Sequence, residues 1–317
     1  MWRTAKHGKQ GSTFAAFVAG AAILAVAGDA SAFCRSTTCR ATSTKECKTD
    51  QDNCPAEGEK LFWPTSCISY AVNELGTQDL DPVDTRDIIK KTFQAWTDVT
   101  CPDGKTASMA FQERDPVACK RSEYNKEGRN VNVVLFQDDD WKYRGIDGTL
   151  AKTSVTYNDQ TGEIYDADIE VNTANNTVTI TDDPRKVQYD LQAILTHEVG
   201  HFIGIAHSSD PSAVMFASYS PGSVAQRTLT PDDVKAVCAI YPPGSGVVCN
   251  VEPRGGFDPE CPDPADAAAA CTVASAPGEG NGATKSAGAS LAVLGLGALA
   301  TTLARRRASN RGSWRRP

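Results

Sequence analysis

The stretch His197-Glu198-Val199-Gly200-His201-Phe202-Ile203-Gly204-Ile205-Ala206-His207 holds three of the chain's four histidines. The fourth, His7, lies in an N-terminal segment with the features of an export signal. His197 and His201 stand four residues apart, so on a helix both side chains leave the same face and can share one metal ion. Gly204 can adopt the left-handed backbone angles that close a helix, and the turn brings His207 round as a third ligand. Three neutral imidazoles hold Zn²⁺ at roughly 2.0–2.1 Å and leave a fourth position for water. A helix with two buried, hydrogen-bonded histidines is the plain alternative. Glu198, Gly204 and His207 weigh against it.

The extended motif resembles that of the metzincin zinc endopeptidases. Ser208, directly after the third histidine, is similar to the matrixin (matrix metalloproteinase-like) branch. The resemblance implies one catalytic Zn²⁺ and Glu198 as the general base. Ser209-Asp210-Pro211-Ser212-Ala213-Val214-Met215 resembles the matrixin approach to the Met-turn, with Met215 as the turn methionine. Tyr219 falls where matrixins carry the tyrosine of the Pro-x-Tyr wall of the S1′ pocket, while Ala217 stands at the proline position. Gly148-Thr149-Leu150-Ala151-Lys152-Thr153 resembles the edge strand against which substrate lies. Leu150, Ala151 and Tyr219 are therefore the substrate-binding residues that the resemblance implies. A thermolysin-type site would take its third ligand from a later glutamate, which His207 makes unnecessary. An inactive adhesin or binding module on the same scaffold is the competing class, and it would have no chemical need for Glu198.

Periodicity places a strand near Ile68–Val72 and a helix capped by Asp84 or Thr85 that runs to about Val99. Its apolar face carries Ile88, Ile89, Phe93 and Trp96. Strands follow near Ser108–Gln112, Val131–Phe136, Leu150–Tyr157 and Ile164–Asn172. A helix from about Val187 carries the histidines. The last helix, Pro231 to Ile240, starts at Thr230 with Asp232 and Asp233 favourable to its dipole. This order is similar to a matrixin catalytic domain. The fold class that it implies is α+β: a twisted, mostly parallel five-stranded sheet with three helices and the zinc site on the second.

Two departures from the matrixin pattern bear on metals. Vertebrate matrixins carry structural-zinc histidines where Lys152 and Asp168 stand here, so a second zinc site is not expected. Asp159, Asp166 and Asp168 are candidates for Ca²⁺, against the plainer reading of solvated loop carboxylates. The zinc-blocking cysteine in a Pro-Arg-Cys-Gly context is not found either.

Net charge is −7 and 40% of residues are hydrophobic. The isoelectric point is about 5.2. An acidic chain lacks the basic footprint of a nucleic-acid partner, and the expected partner is a protein or peptide substrate. Residues 1–32 read as a signal peptide: Arg3, Lys6 and Lys9, then an apolar Phe14–Ala27, then Ala30-Ser31-Ala32. All 11 cysteines follow it, which in an exported chain reads as a disulfide framework. Pairing cannot be read from the sequence. The odd number leaves one out, and Cys271 is chosen because it lies last, in the linker. The domains are then 33–59, a Cys-rich extension that the cysteines at 34–54 staple to the catalytic domain; 60–245, the catalytic domain; 246–286, a disordered linker; 287–304, an apolar segment; and 305–317, a basic tail.

Ala287 to Ala304 is about as long as the shortest bilayer span, ~17–20 residues. Arg305, Arg306 and Arg307 follow it at once. With Cys271 upstream, the tail resembles the bacterial C-terminal sorting tails known as MYXO-CTERM. That implies transient contact with the membrane and an extracellular, cell-surface or outer-membrane destination. A permanent transmembrane anchor is the alternative.

Overall fold

The computed structural model describes residues 32–42, 44–143, 149–245 and 249–261. The chain runs β1 (Cys34–Arg35), β2 (Cys67–Val72), α1 (Pro82–Thr97), β3 (Ala110–Glu113), β4 (Val133–Phe136), β5 (Ala151–Tyr157), β6 (Ile164–Val171), β7 (Val178–Thr179), β8 (Tyr189–Asp190), α2 (Leu191–Phe202), β9 (Ile205–Ala206) and α3 (Pro231–Ile240). The expected export signal up to Ser31, Cys271 and the 287–304 segment lie outside the described residues. Among the described residues no helix is long and apolar enough to cross a membrane.

The main sheet has the order β3-β2-β4-β6-β5. Its first four strands are parallel and β5 pairs antiparallel with β6, from Ala151 opposite Val171 to Tyr157 opposite Ile164. β5 is thus an edge, with one row of backbone groups free to pair. The fold class is the one expected: α+β, mostly parallel, with three helices.

Alternation sends the sheet's residues to two cores. One face, with Tyr70, Val134, Ala167, Ile169 and Val171, meets Ile89, Phe93 and Trp96 of α1 and Leu191, Leu195 and Val199 of α2. Phe93 lies between layers, stacked on Tyr70 at 3.8 Å and edge-on to Phe202 at 5.5 Å. Buried aromatic and branched side chains of this kind stabilise by about 1.5–3 kcal/mol each. The opposite face carries a smaller cluster, Ala71, Val117, Cys119, Val131, Val133 and Leu135.

Several boundaries differ from the sequence expectation. α1 starts earlier, because Asp81 caps it through Val83 and Asp84 and Pro82 takes the first helical position. α2 starts later than Val187: Tyr189 and Asp190 first pair with β7, and Asp190 then caps the helix through Ala193 N. The extension's cysteines do not staple it to the domain. They close on one another, Cys34 with Cys54 and Cys39 with Cys47. What docks the extension is β1, which pairs antiparallel with β9 (Cys34 opposite Ala206). The expected linker also begins too early, since Cys249 is bonded to Cys67 and Cys261 to Cys119. Residues 249–261 form a strap whose Phe257 packs on the smaller cluster. Low apolar content suggests a linker, but two crosslinks supply the order that a core would otherwise give. A fifth bridge, Cys101–Cys238, completes the pairing of the ten described cysteines.

Candidate metal centre and cleft

α2 presents His197 and His201 on one face, and its end is set by Gly204 at φ +91°, where the Leu61 carbonyl leaves no room for a Cβ. The chain reverses into β9 and delivers His207. One nitrogen from each of the three rings lies within 4.8 Å of the others, and the His201 and His207 Nε2 atoms are 3.2 Å apart. Two of the three rings are tied back through their other nitrogen: His197 Nδ1 donates to the Val214 carbonyl at 2.7 Å and His201 Nδ1 to that of Ile205 at 2.8 Å. A proton held on Nδ1 leaves the Nε2 lone pair for a metal. Desolvation holds the His201 imidazole well below its usual range and takes His207 down to about 4, with His197 adding to both shifts. Converging imidazoles, two of them oriented by main-chain carbonyls, are a donor set that suits Zn²⁺.

Glu198 sits beside them, 7% exposed. Burial pushes its carboxyl up, while His197 and a hydrogen bond from Thr153 pull it back. Thr153 Oγ1 lies 2.6 Å from Glu198 Oε2, so the edge strand touches the carboxylate directly. Next to Val214 in the same turn, fully buried Met215 packs against Gly200 of α2. Asp233 fixes this turn. Its carboxylate accepts from Val214 N at 3.0 Å, Met215 N at 3.1 Å and Thr230 N at 2.8 Å.

A cleft of about 850 Å³ runs over the site. Its walls include Leu150, Ala151 and Thr153 on one side and Phe216, Ala217 and Tyr219 on the other, with Ile194, His197, Glu198, His201 and His207 along the floor. The candidate residues Leu150, Ala151, His197, Glu198, His201, His207 and Tyr219 therefore meet in one place, and Met215 packs against the helix that carries two of the histidines. Tyr219 is held by two bonds, donating to Ser223 O and accepting from Asp190 N. Arg227 grips both carboxylate oxygens of Asp190 from the same loop. Thr153, Asp233 and Arg227 were not legible as site residues. Thr153 stood in the edge-strand stretch without a role of its own, and Asp233 left a signal as the fourth member of the Thr-x-x-Asp capping pattern from Thr230.

The three calcium candidates do not form a set. Asp159 is exposed in the turn after β5, whereas Asp166 and Asp168 are buried on β6. Asp168 already accepts from Val133 N and Glu123 N. Among the described residues, the histidine triad is the one group of three or more His, Cys, Asp or Glu side chains arranged to hold a metal.

Residues 62–242 match the family model described as Matrixin. Metalloendoproteinase 1-MMP of Arabidopsis thaliana is 26% identical over 188 residues, 58% of this chain and 45% of the relative. Human neutrophil collagenase is 26% identical over 203 residues, 64% of this chain and 37% of the relative. Matrix metalloproteinase-C of Caenorhabditis elegans is 28% identical, with 62% and 32% covered. The chain thus spans less than half the length of each of these relatives.

Proposed function

The chain belongs to the matrixin family, and from that membership we propose that it is a zinc-dependent endopeptidase acting on proteins or peptides. The observation that carries this reading is the convergence of three imidazoles beside a buried glutamate, on the floor of a cleft bordered by the sheet's edge strand β5. His197, His201 and His207 would hold the ion. Zinc bound there supplies Lewis acidity that polarises a carbonyl and acidifies water. Glu198 takes the proton from the water that attacks the scissile carbonyl and passes it to the leaving amine. A substrate segment adds to β5 as a further strand, with main-chain bonds giving affinity and side-chain pockets giving specificity. The pocket bounded by Ile194, Ala217 and Tyr219 is largely apolar, so an apolar side chain is favoured after the scissile bond.

Export, with attachment at the cell surface, completes the proposal. Five disulfides suit an oxidising compartment. The tail supports transient membrane retention followed by processing near Cys271. Intact-mass analysis of the mature protein tests this, and a species ending at Pro317 would favour a permanent anchor.

The catalytic reading is tested with Glu198→Gln, which should bind zinc as the parent does and lose roughly 10²–10⁴-fold in kcat. Near-parental turnover would overturn it. A peptide library with no preference, or a charged one, at the position after the cleaved bond would remove the pocket assignment.

A further inference from the structure

From the contact between Thr153 and Glu198 we infer that Thr153 is a positioning residue for the proton-transferring carboxylate, an inference that rests on the peptidase reading above. Along β5 the period of two sends Ala151, Thr153, Val155 and Tyr157 to the face of the larger core, where Ala151 is buried and Val155 and Tyr157 pack against the cluster. Valine would fill the same volume as Thr153 on this side. The hydroxyl instead reaches Glu198 Oε2 at 2.6 Å, with the Glu198 main-chain oxygen 3.1 Å away. A hydroxyl donating to a carboxylate makes one of the stronger kinds of neutral-to-charged hydrogen bond.

Thr153 is a stiff platform for this. Its backbone is in register with Ile169 in the middle of the β5–β6 ladder, and a β-branched side chain has few χ1 options. Glu198 has freely rotating side-chain bonds, and this bond fixes where its carboxylate lies. One oxygen is engaged by Thr153 and the other stays available to the reacting water. Thr153 also lies on the strand that a peptide would extend. Substrate backbone and proton acceptor are thereby referenced to a single rigid element, which is the condition for a near-attack geometry.

The test compares Thr153→Val with Thr153→Ser in the full domain. For Thr153→Val the inference expects kcat to fall roughly ten- to hundredfold. KM should change by less than about twofold, because no ground-state contact with substrate is lost. Zinc content should stay at the parental value. Thr153→Ser, which keeps the hydroxyl, should recover most of the loss. Crystals of zinc-free Thr153→Val should show the Glu198 carboxylate displaced, a readout independent of turnover. Parental kcat in the valine variant, a loss confined to KM, failure of serine to rescue, or an unmoved carboxylate would each overturn the inference while leaving the peptidase reading intact. A parent enzyme that cleaves no peptide, with Glu198→Gln indistinguishable from it, overturns both.

Discussion

Gly200 lies so close to Met215 that a Cβ on the glycine would fall within the thioether, and Trp96 closes the remaining side at 3.2 Å. A mid-helix glycine ordinarily costs about 1 kcal/mol relative to alanine. Here that cost is accepted so that α2 and the Met215 turn can touch. Gly200→Ala should therefore be destabilising despite its better helix propensity, by about 1–3 kcal/mol of overpacking. Thermal melts and zinc competition should both register it, since Met215 backs the helix that carries two ligands. A variant as stable as the parent would show that the turn can yield.

Asp233 predicts a larger effect. Its carboxylate is fully buried and accepts from three backbone amides, two of them in the Met215 turn. Asp233→Ala leaves those donors unpaired, at about 1–3 kcal/mol for each buried group. Denaturant unfolding should show a loss above ~3 kcal/mol. Zinc affinity should fall as well, because the Val214 carbonyl that orients His197 belongs to the same turn.

The histidines predict an acid limit for the metal-free domain. His201 is held well below the usual range and His207 lies at about 4, so both stay neutral where a free imidazole, with its pKa of about 6.5, would protonate. Each contributes stability that is fully present above about pH 6.5 and is lost as pH falls toward the folded value. Asp168 acts in the opposite sense. Burial pushes it up to about 7, so its contribution is present at low pH and is lost as pH rises through that value. Melting curves would blend the two. NMR titration of the imidazoles separates them, and His207 should show a midpoint near 4. A midpoint near 6.5 would mean that the cleft floor is hydrated.

Crosslinks differ in weight. Cys101–Cys238 closes 137 residues, whereas Cys39–Cys47 closes 8. The chain-entropy model assigns them roughly 5 and 2.5 kcal/mol. Replacing the first pair by serines should thus cost about twice as much in unfolding free energy as replacing the second. Equal losses would place the stabilisation in native contacts rather than in the unfolded chain.

The metal site was legible because its residues are close in sequence and scarce elsewhere, so helical spacing and a turn glycine were enough to assemble it. The sheet and helices were legible for a similar reason: Ile89, Phe93 and Trp96 repeat with the helical period, and strands alternate. Start points were harder. Apolar Val187 extends the pattern into β8, although Asp190 is the residue that caps α2. Thr153 was legible as part of the edge strand, but its contact with Glu198 was not, since that partner is 45 residues away and threonine is common in strands. The strap was hidden by composition. Its order comes from Cys249 and Cys261, whose partners are 182 and 142 residues distant.

That strap also settles where mechanical load enters the domain. Any pull on the chain beyond Cys261 passes first to Cys119, and then along residues 249–261 to Cys67. Cys119 and Phe257 belong to the cluster on the sheet face opposite the one that meets α1 and α2. Tension from a tether would be borne by covalent bonds into β2 and the β3–β4 connection. The cleft would feel none of it directly, so load applied beyond Cys261 would leave the working edge slack.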